Sequence, residues 1–455
     1  MLERIALNAQ KFIFSAPLLL FSIWSYGADG WQSRVQPVSN PADNVTLFSI
    51  AGSNTVGAKL APRLVAAFLQ QEGFNNVEIA PLPGENRQQV TGLWQARSNN
   101  YSVAVTIEAK GSSTGFKNLL AGGADLAASS RPIKNNEVKR LAKLGDMRSL
   151  ENEHIIAIDG LAIVVNPANP VDTLSLKSIQ NLFLGKSKDW SEVSGQKGPV
   201  VLLARNYLSG TFDTFKRLVL ENGTLAPNIR RFEANSKLAE TVLARKNSIG
   251  FVPLPSVGLT KAIQISDGVA QPLAPSTLTV ATEDYPLSRR LYFYSRASSQ
   301  RKEVVSEFLE FVHSDDGQAV VGQAGYVAQS LFAVPLASDD PRLAGWSRMN
   351  LNIRFVDGSS GLDNKSLNDV KRLADFLSRP GNQNKSLTLV GFSNPVGGGV
   401  SRVSLSRLRA QNVRWALRDQ NVKNKAATIA GSAVSVADPK SLNAERNRRV
   451  EVWVK

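Results

Sequence analysis

The chain has 455 residues, no cysteine, two histidines and a formal net charge of +15. At roughly 100–200 residues per domain this length holds several folded bodies, and 43% hydrophobic with 20% charged residues is ordinary globular composition. Disulfides, thiolate metal sites and cysteine nucleophiles are excluded, and His154 and His313 alone cannot build a multi-imidazole metal centre.

Taken in order, the chain opens with Arg4 and Lys11, the apolar run Phe12 to Trp24, and then Ser25, Tyr26, Gly27, Ala28 and Asp29. That pattern predicts a secretory signal peptide over residues 1–28. The run is 13 residues long and holds Pro17, short of the roughly 17–25 apolar residues of a bilayer-spanning helix. The expected location is therefore the periplasm, outside the cytoplasm, which disfavours a nucleic-acid partner.

Thr46 to Ile50 predicts a strand, and Leu60, Leu64 and Phe68 mark one face of a helix. Ala157 to Val165 and Val200 to Leu203 again read as strands, and Phe212, Phe215, Leu218 and Val219 as a helix, so the first body is α/β. Pro335, Asp339, Asp340, Pro341 and Gly345 give Ala333 to Trp346 the composition of a connection. Beyond it, helices are expected around Leu367, Val370, Leu373 and Leu377 and over Leu405 to Leu417. Strands are expected at Leu387 to Val390 and at Val450, Val452 and Val454, which makes a small α+β body. From Trp346 onward there are 19 Lys and Arg against 8 Asp and Glu, so this quarter of the chain carries most of the positive excess.

Three loops rich in glycine and hydroxyls fall where a strand should hand over to a helix: Gly52 to Val56, Gly111 to Gly115, and Ser209 to Thr211. Free N–H groups and the positive dipole end at a helix N-terminus bind anions, and hydroxyls add donors. Arg205, four residues before Ser209, adds a guanidinium fork suited to a tetrahedral oxyanion. Each loop alone reads more readily as a simple N-cap; three together with an arginine reverse that reading and point to a binding site. Two catalytic patterns are weighed against this. Gly52 and Gly57 have the glycine spacing of a nucleotide-binding loop, but Ala58 stands where lysine is required. Gly111-Ser112-Ser113-Thr114-Gly115 has the form of a serine-hydrolase elbow around Ser113, with His313 downstream as its base.

From Thr46 to about Ser338 the chain resembles periplasmic phosphate-binding proteins of the PstS type. The resemblance is carried by Ala51 to Val56, Gly111 to Phe116, Ala124 to Arg131, Ile179 to Trp190, Arg205 with Ser209-Gly210-Thr211, Ser248 to Val252, and Tyr285-Pro286-Leu287. It implies a two-lobed receptor over residues 46–338 that closes on one oxyanion, without catalysis or cofactor. The implied shell is Thr55, Val56 through its amide, Ser112, Ser130, Arg205, Ser209, Gly210 and Thr211, and an ABC permease is the implied partner. Ser130 stands where the best-known phosphate receptors carry an aspartate that accepts a hydrogen bond from protonated phosphate and repels fully ionised sulfate, so phosphate shares the expectation with related oxyanions.

After a connection at 339–351, residues 352–455 resemble an OmpA-like peptidoglycan-binding domain, on Leu405 to Val413 and Asn447 to Glu451. In that family an aspartate and a helical arginine hold the charged end of the wall peptide. Arg409 matches the arginine, whereas Asn394 occupies the aspartate position and Phe392 replaces a usual histidine. Arg407, Arg414 and Arg418 are spaced to form one exposed stripe on the same helix. The combined expectation is an oxyanion receptor associated with the cell envelope; the competing one is an adhesion protein whose receptor cleft no longer binds.

Overall fold

The structure is a computed structural model that describes residues 35–455, apart from 41–42, 97–98, 196, 208, 222, 297–300, 357–358, 360, 394–400, 432–434 and 442. Residues 1–28, where the signal peptide is expected, and Asn394 lie outside the described residues. No helix among the described residues is long and apolar enough to cross a membrane.

The first body is two lobes sharing a curled sheet. The long strand Glu153–Val165 joins them. Its first half pairs antiparallel with Ser288–Ser295, placing Asp159 opposite Arg289. Its second half pairs with Ser248–Pro253, Ile249 facing Val165 and Pro253 facing Leu161. Thirteen residues of which eleven are buried suit a strand covered on both faces. On the first-lobe side, Val45–Gly52 runs parallel to both Asn99–Glu108 and Leu126–Ser129. Helices cover this sheet, and Phe48, Leu64, Phe68 and Phe308 close its core, with Phe68 edge-on to Phe308 at 5.6 Å. On the second-lobe side Phe215 and Phe251 stack at 3.9 Å and pack with Phe183. Gly115 lets the Ser112–Ala121 helix lie against the end of the first strand, since a side chain there would come within 2.6 Å of the Ala51 carbonyl oxygen.

The second body is a five-stranded sheet in the order 333–335, 347–354, 449–454, 387–391, 426–430. Helices Asn364–Ser378 and Arg402–Asp419 pack on it through Val370, Leu373, Leu377, Val413 and Leu417. Leu367, expected on the apolar face of the first helix, is 38% exposed. The connection is partly sheet: Ala333–Pro335 pairs with the strand that begins at Ser347, so the chain enters the second body before the segment of turn residues.

The two bodies meet at a buried ionic network around Glu283 and Asp284, in the turn that leads into Ser288–Ser295. Glu283, at φ 58°, accepts both forks of Arg290, at 2.6 and 2.9 Å, and lies 3.5 Å from Arg354. Asp284 accepts from Arg348 at 3.1 Å and Asn352 at 2.7 Å, both on the second body. Burial disfavours both charged carboxylates. The Arg290 guanidinium at Glu283, and those of Arg449, Arg348 and Arg354 at Asp284, outweigh it and hold both below the usual range.

Candidate functional site

Each hydroxyl loop does sit at the handover from strand to helix. The strand Val45–Gly52 ends with Ser53 donating its N–H to Ala128 O at 2.9 Å, and a π-helical turn, wider than an α-helical one, spans Val56–Leu60. Leu126–Ser129 ends beside the helix that opens at Ser112. The Ser130 amide donates to Ser112 Oγ at 3.2 Å, and the two hydroxyls stand 3.5 Å apart. Ser209 caps the helix Gly210–Leu218, its Oγ accepting from the Phe212 amide, so the Gly210 and Thr211 N–H groups stay free of intrahelical partners.

The loops of the two lobes approach each other where Gly210 meets Thr55. A methyl at Gly210 would overlap the Thr55 hydroxyl and come within 2.8 Å of Thr55 Cα, so only glycine permits this approach. Beneath the contact lies a group that periodicity and motifs did not reveal. Arg289, 5% exposed, donates from Nη2 to Thr55 Oγ1 at 2.8 Å and to Gly210 O at 3.2 Å, and from Nε to Asp159 at 3.1 Å. One guanidinium therefore reaches loops of both lobes from the strand paired with the one that joins them. Because Thr55 Oγ1 accepts from Arg289, its own O–H is free to donate, which is the orientation an anion needs. Tyr326 fixes the same loop by donating to Thr55 O at 2.7 Å. The available signal was the pair Arg289-Arg290 inside a strand-like run, which must send one charge to each face.

Arg205 is placed differently from a free fork. Its Nε donates to Phe232 O at 3.3 Å, Nη1 to Asn235 Oδ1 and Nη2 to Glu233 O, tying it to the neighbouring strand and the turn after it. Each of the two Nη atoms keeps a second N–H. Arg131, beside Ser130, is committed to Glu137 at 2.7 and 2.8 Å and to Ser113 Oγ at 3.0 Å. Ser113 thus accepts from an arginine, while His313 packs 6.0 Å from His154 on another face of the lobe. Serine and histidine form no dyad.

In the second body Arg409 reaches the end of Leu387–Gly391, donating to Phe392 O at 3.2 Å and Ser393 Oγ at 2.6 Å. The expected helix arginine is thus brought to the residue preceding position 394. Burial, with Arg448 adding repulsion, lowers its pKa. Arg407 and Arg418 are exposed as expected, and Arg414 is half-buried.

The profile of the PBP superfamily domain matches residues 88–316, and that of the OmpA family matches residues 354–451. Phosphate-binding protein PstS of Staphylococcus epidermidis is 31% identical over 226 residues, covering 48% of this chain and 68% of that protein. PstS of Staphylococcus aureus is likewise 31% identical over 227 residues, covering 48% and 67%. An ABC-type phosphate transport receptor from Vibrio cholerae overlays with a TM-score of 0.47 at 26% identity, over 62% of this chain and 99% of that one. The chain belongs to the PBP superfamily, as a PstS-like receptor body joined to a C-terminal OmpA-family domain.

Proposed function

We propose that this protein is an extracytoplasmic receptor that binds phosphate or a closely related oxyanion between its lobes, with the C-terminal domain holding it at the cell wall. It binds and does not catalyse. The observation that carries the reading is the Arg289 bridge, which joins Thr55 and Gly210 and leaves the Thr55 O–H and the first N–H groups of the Gly210–Leu218 helix free to donate. The Val56 amide, weakly held by Ser53 Oγ at 3.5 Å, and the hydroxyls of Ser112, Ser130, Ser209 and Thr211 complete the donor set. Arg205 joins the shell through its second N–H groups or by releasing a carbonyl. Charged anions gain most from such donors, because each is already fixed by the fold.

Calorimetry of the full chain against phosphate, arsenate, sulfate and a phosphonate tests this reading. Phosphate should bind, and Arg205→Ala should weaken it by about 2–5 kcal/mol, the range for removing a charged partner from a buried ion. Unchanged affinity in that variant removes Arg205 from the shell; no phosphate binding by the parent refutes the receptor reading.

A further inference from the structure

The cleft is not the end of the positive charge. Also bordered by Arg289, between the receptor body and the C-terminal domain, lies a cavity of about 350 Å³, within the roughly 300–1,000 Å³ of small-molecule sites. Pro132, Arg217, Arg289 and Tyr292 line it from the receptor, and Asn443 and Arg446 from the second body. Most charges around it are matched. Glu283 serves Arg290 and Arg354, Asp363 lies 2.8 Å from Arg290, and Glu445 acts on Arg446. Arg446 also donates to the carbonyls of Tyr285 and Ser288.

Arg217 has no such match. Its Nε is buried with no hydrogen-bond partner among the described residues, and the same holds for Nη1 of Arg289, a residue that is 5% exposed. Burial lowers the Arg217 pKa to about 10, and Arg289 and Arg131 add repulsion. The carboxylate acting most strongly on it, Asp213, is exposed to solvent. Two arginines that line one cavity, each with a buried donor left unmet, are a costly arrangement unless an anion offsets their charge.

We propose that this cavity is a second anion site, taking a phosphoryl group held by Arg217 and Arg289. Its occupant is either a second orthophosphate or the distal phosphoryl group of a condensed phosphate whose other end lies in the cleft. Arg289 borders both spaces, and Asn443 and Arg446 make the C-terminal domain one wall of the site.

Calorimetric titration of the full chain with orthophosphate and with pyrophosphate tests this on the parent, Arg217→Gln, Arg217→Lys and Gly210→Ala. The parent should take two orthophosphates, or one pyrophosphate at least about tenfold more tightly than orthophosphate. The first outcome identifies a separate anion, the second an extended ligand. Arg217→Gln should remove the second orthophosphate or the pyrophosphate advantage while leaving cleft affinity within about twofold. Arg217→Lys should retain the site at about tenfold lower affinity, since the charge remains and the fork is lost. Gly210→Ala, blocked against Thr55, should silence the cleft and spare the Arg217 site, so failure of the cleft reading shows as no change in that variant alone. Should Arg217→Gln not fold, the lysine variant carries the test. A parent that takes one orthophosphate and binds pyrophosphate no tighter overturns the proposal, as does a second site indifferent to both Arg217 variants.

Discussion

Replacing Asp284 by Asn removes one charge from the junction between the two bodies while keeping its shape. Asp284 is 3% exposed and lies 3.1 Å from Arg348, 3.5 Å from Arg354 and 3.7 Å from Arg449. Breaking a buried pair by neutralising one partner costs about 3–5 kcal/mol, because the other charge stays desolvated. Each arginine keeps a second carboxylate here: Glu451 at 3.4 Å from Arg348 and 2.9 Å from Arg449, and Glu283 at 3.5 Å from Arg354. The loss should accordingly sit at the lower end, about 3 kcal/mol. With a urea slope of about 3 kcal/mol/M, the unfolding midpoint of the full chain falls by about 1 M. Circular dichroism across a urea series reads this directly. A midpoint within about 0.2 M of the parent would show that the network stabilises nothing, and that solvent reaches the junction.

Acid should destabilise the fold in a window set by histidine. Burial holds His154 at about 4, and burial with repulsion from His154 holds His313 at about 3, against 6.5 for the free side chain. The unfolded chain therefore takes up protons first. Stability is full above about pH 6.5 and falls toward pH 4 by about 1.4 kcal/mol per pH unit for each histidine. His313→Gln should roughly halve that slope in melts run across the pH series; an unchanged slope means the rings are hydrated. Ser130→Asp should raise the preference for phosphate over sulfate in paired titrations, by placing an obligate acceptor beside Ser112; strong sulfate rejection by the parent would assign that task to another group. Sacculus binding by the parent should be weak and fade once salt shortens screening below roughly 5 Å, while Asn394→Asp makes it salt-resistant and dependent on Arg409. Salt-resistant binding by the parent that survives Arg409→Ala would refute that assignment.

The parts of the fold legible in sequence were those fixed by local periodicity. Leu64 and Phe68 recur on one helix face, and Val450, Val452 and Val454 alternate along a strand, so burial follows from spacing alone. The hydroxyl loops were legible for the same reason, since capping and dipole are properties of a few consecutive residues. Arg289 was not, because its meaning comes from Asp159, 130 residues away across the lobe-joining strand. The commitment of Arg205 to Phe232 O likewise depends on a parallel pairing with Arg230–Phe232 that no short pattern announces. Turn residues gave Ala333 to Trp346 the composition of a connection, but its strand pairing at Ala333–Pro335 and the ion pair between residues 64 apart that joins the bodies have no local sequence signal.

That junction changes what a tether means for this molecule. A load on the C-terminal domain does not first straighten a loose string; it arrives at Glu283 and Asp284, at the foot of the strand that carries Arg289. The second body thus meets the receptor at the turn before that strand and not at a lobe tip. One strand serves both sides, with Arg289 turned toward Thr55 and Arg290 toward Asp363 of the second body.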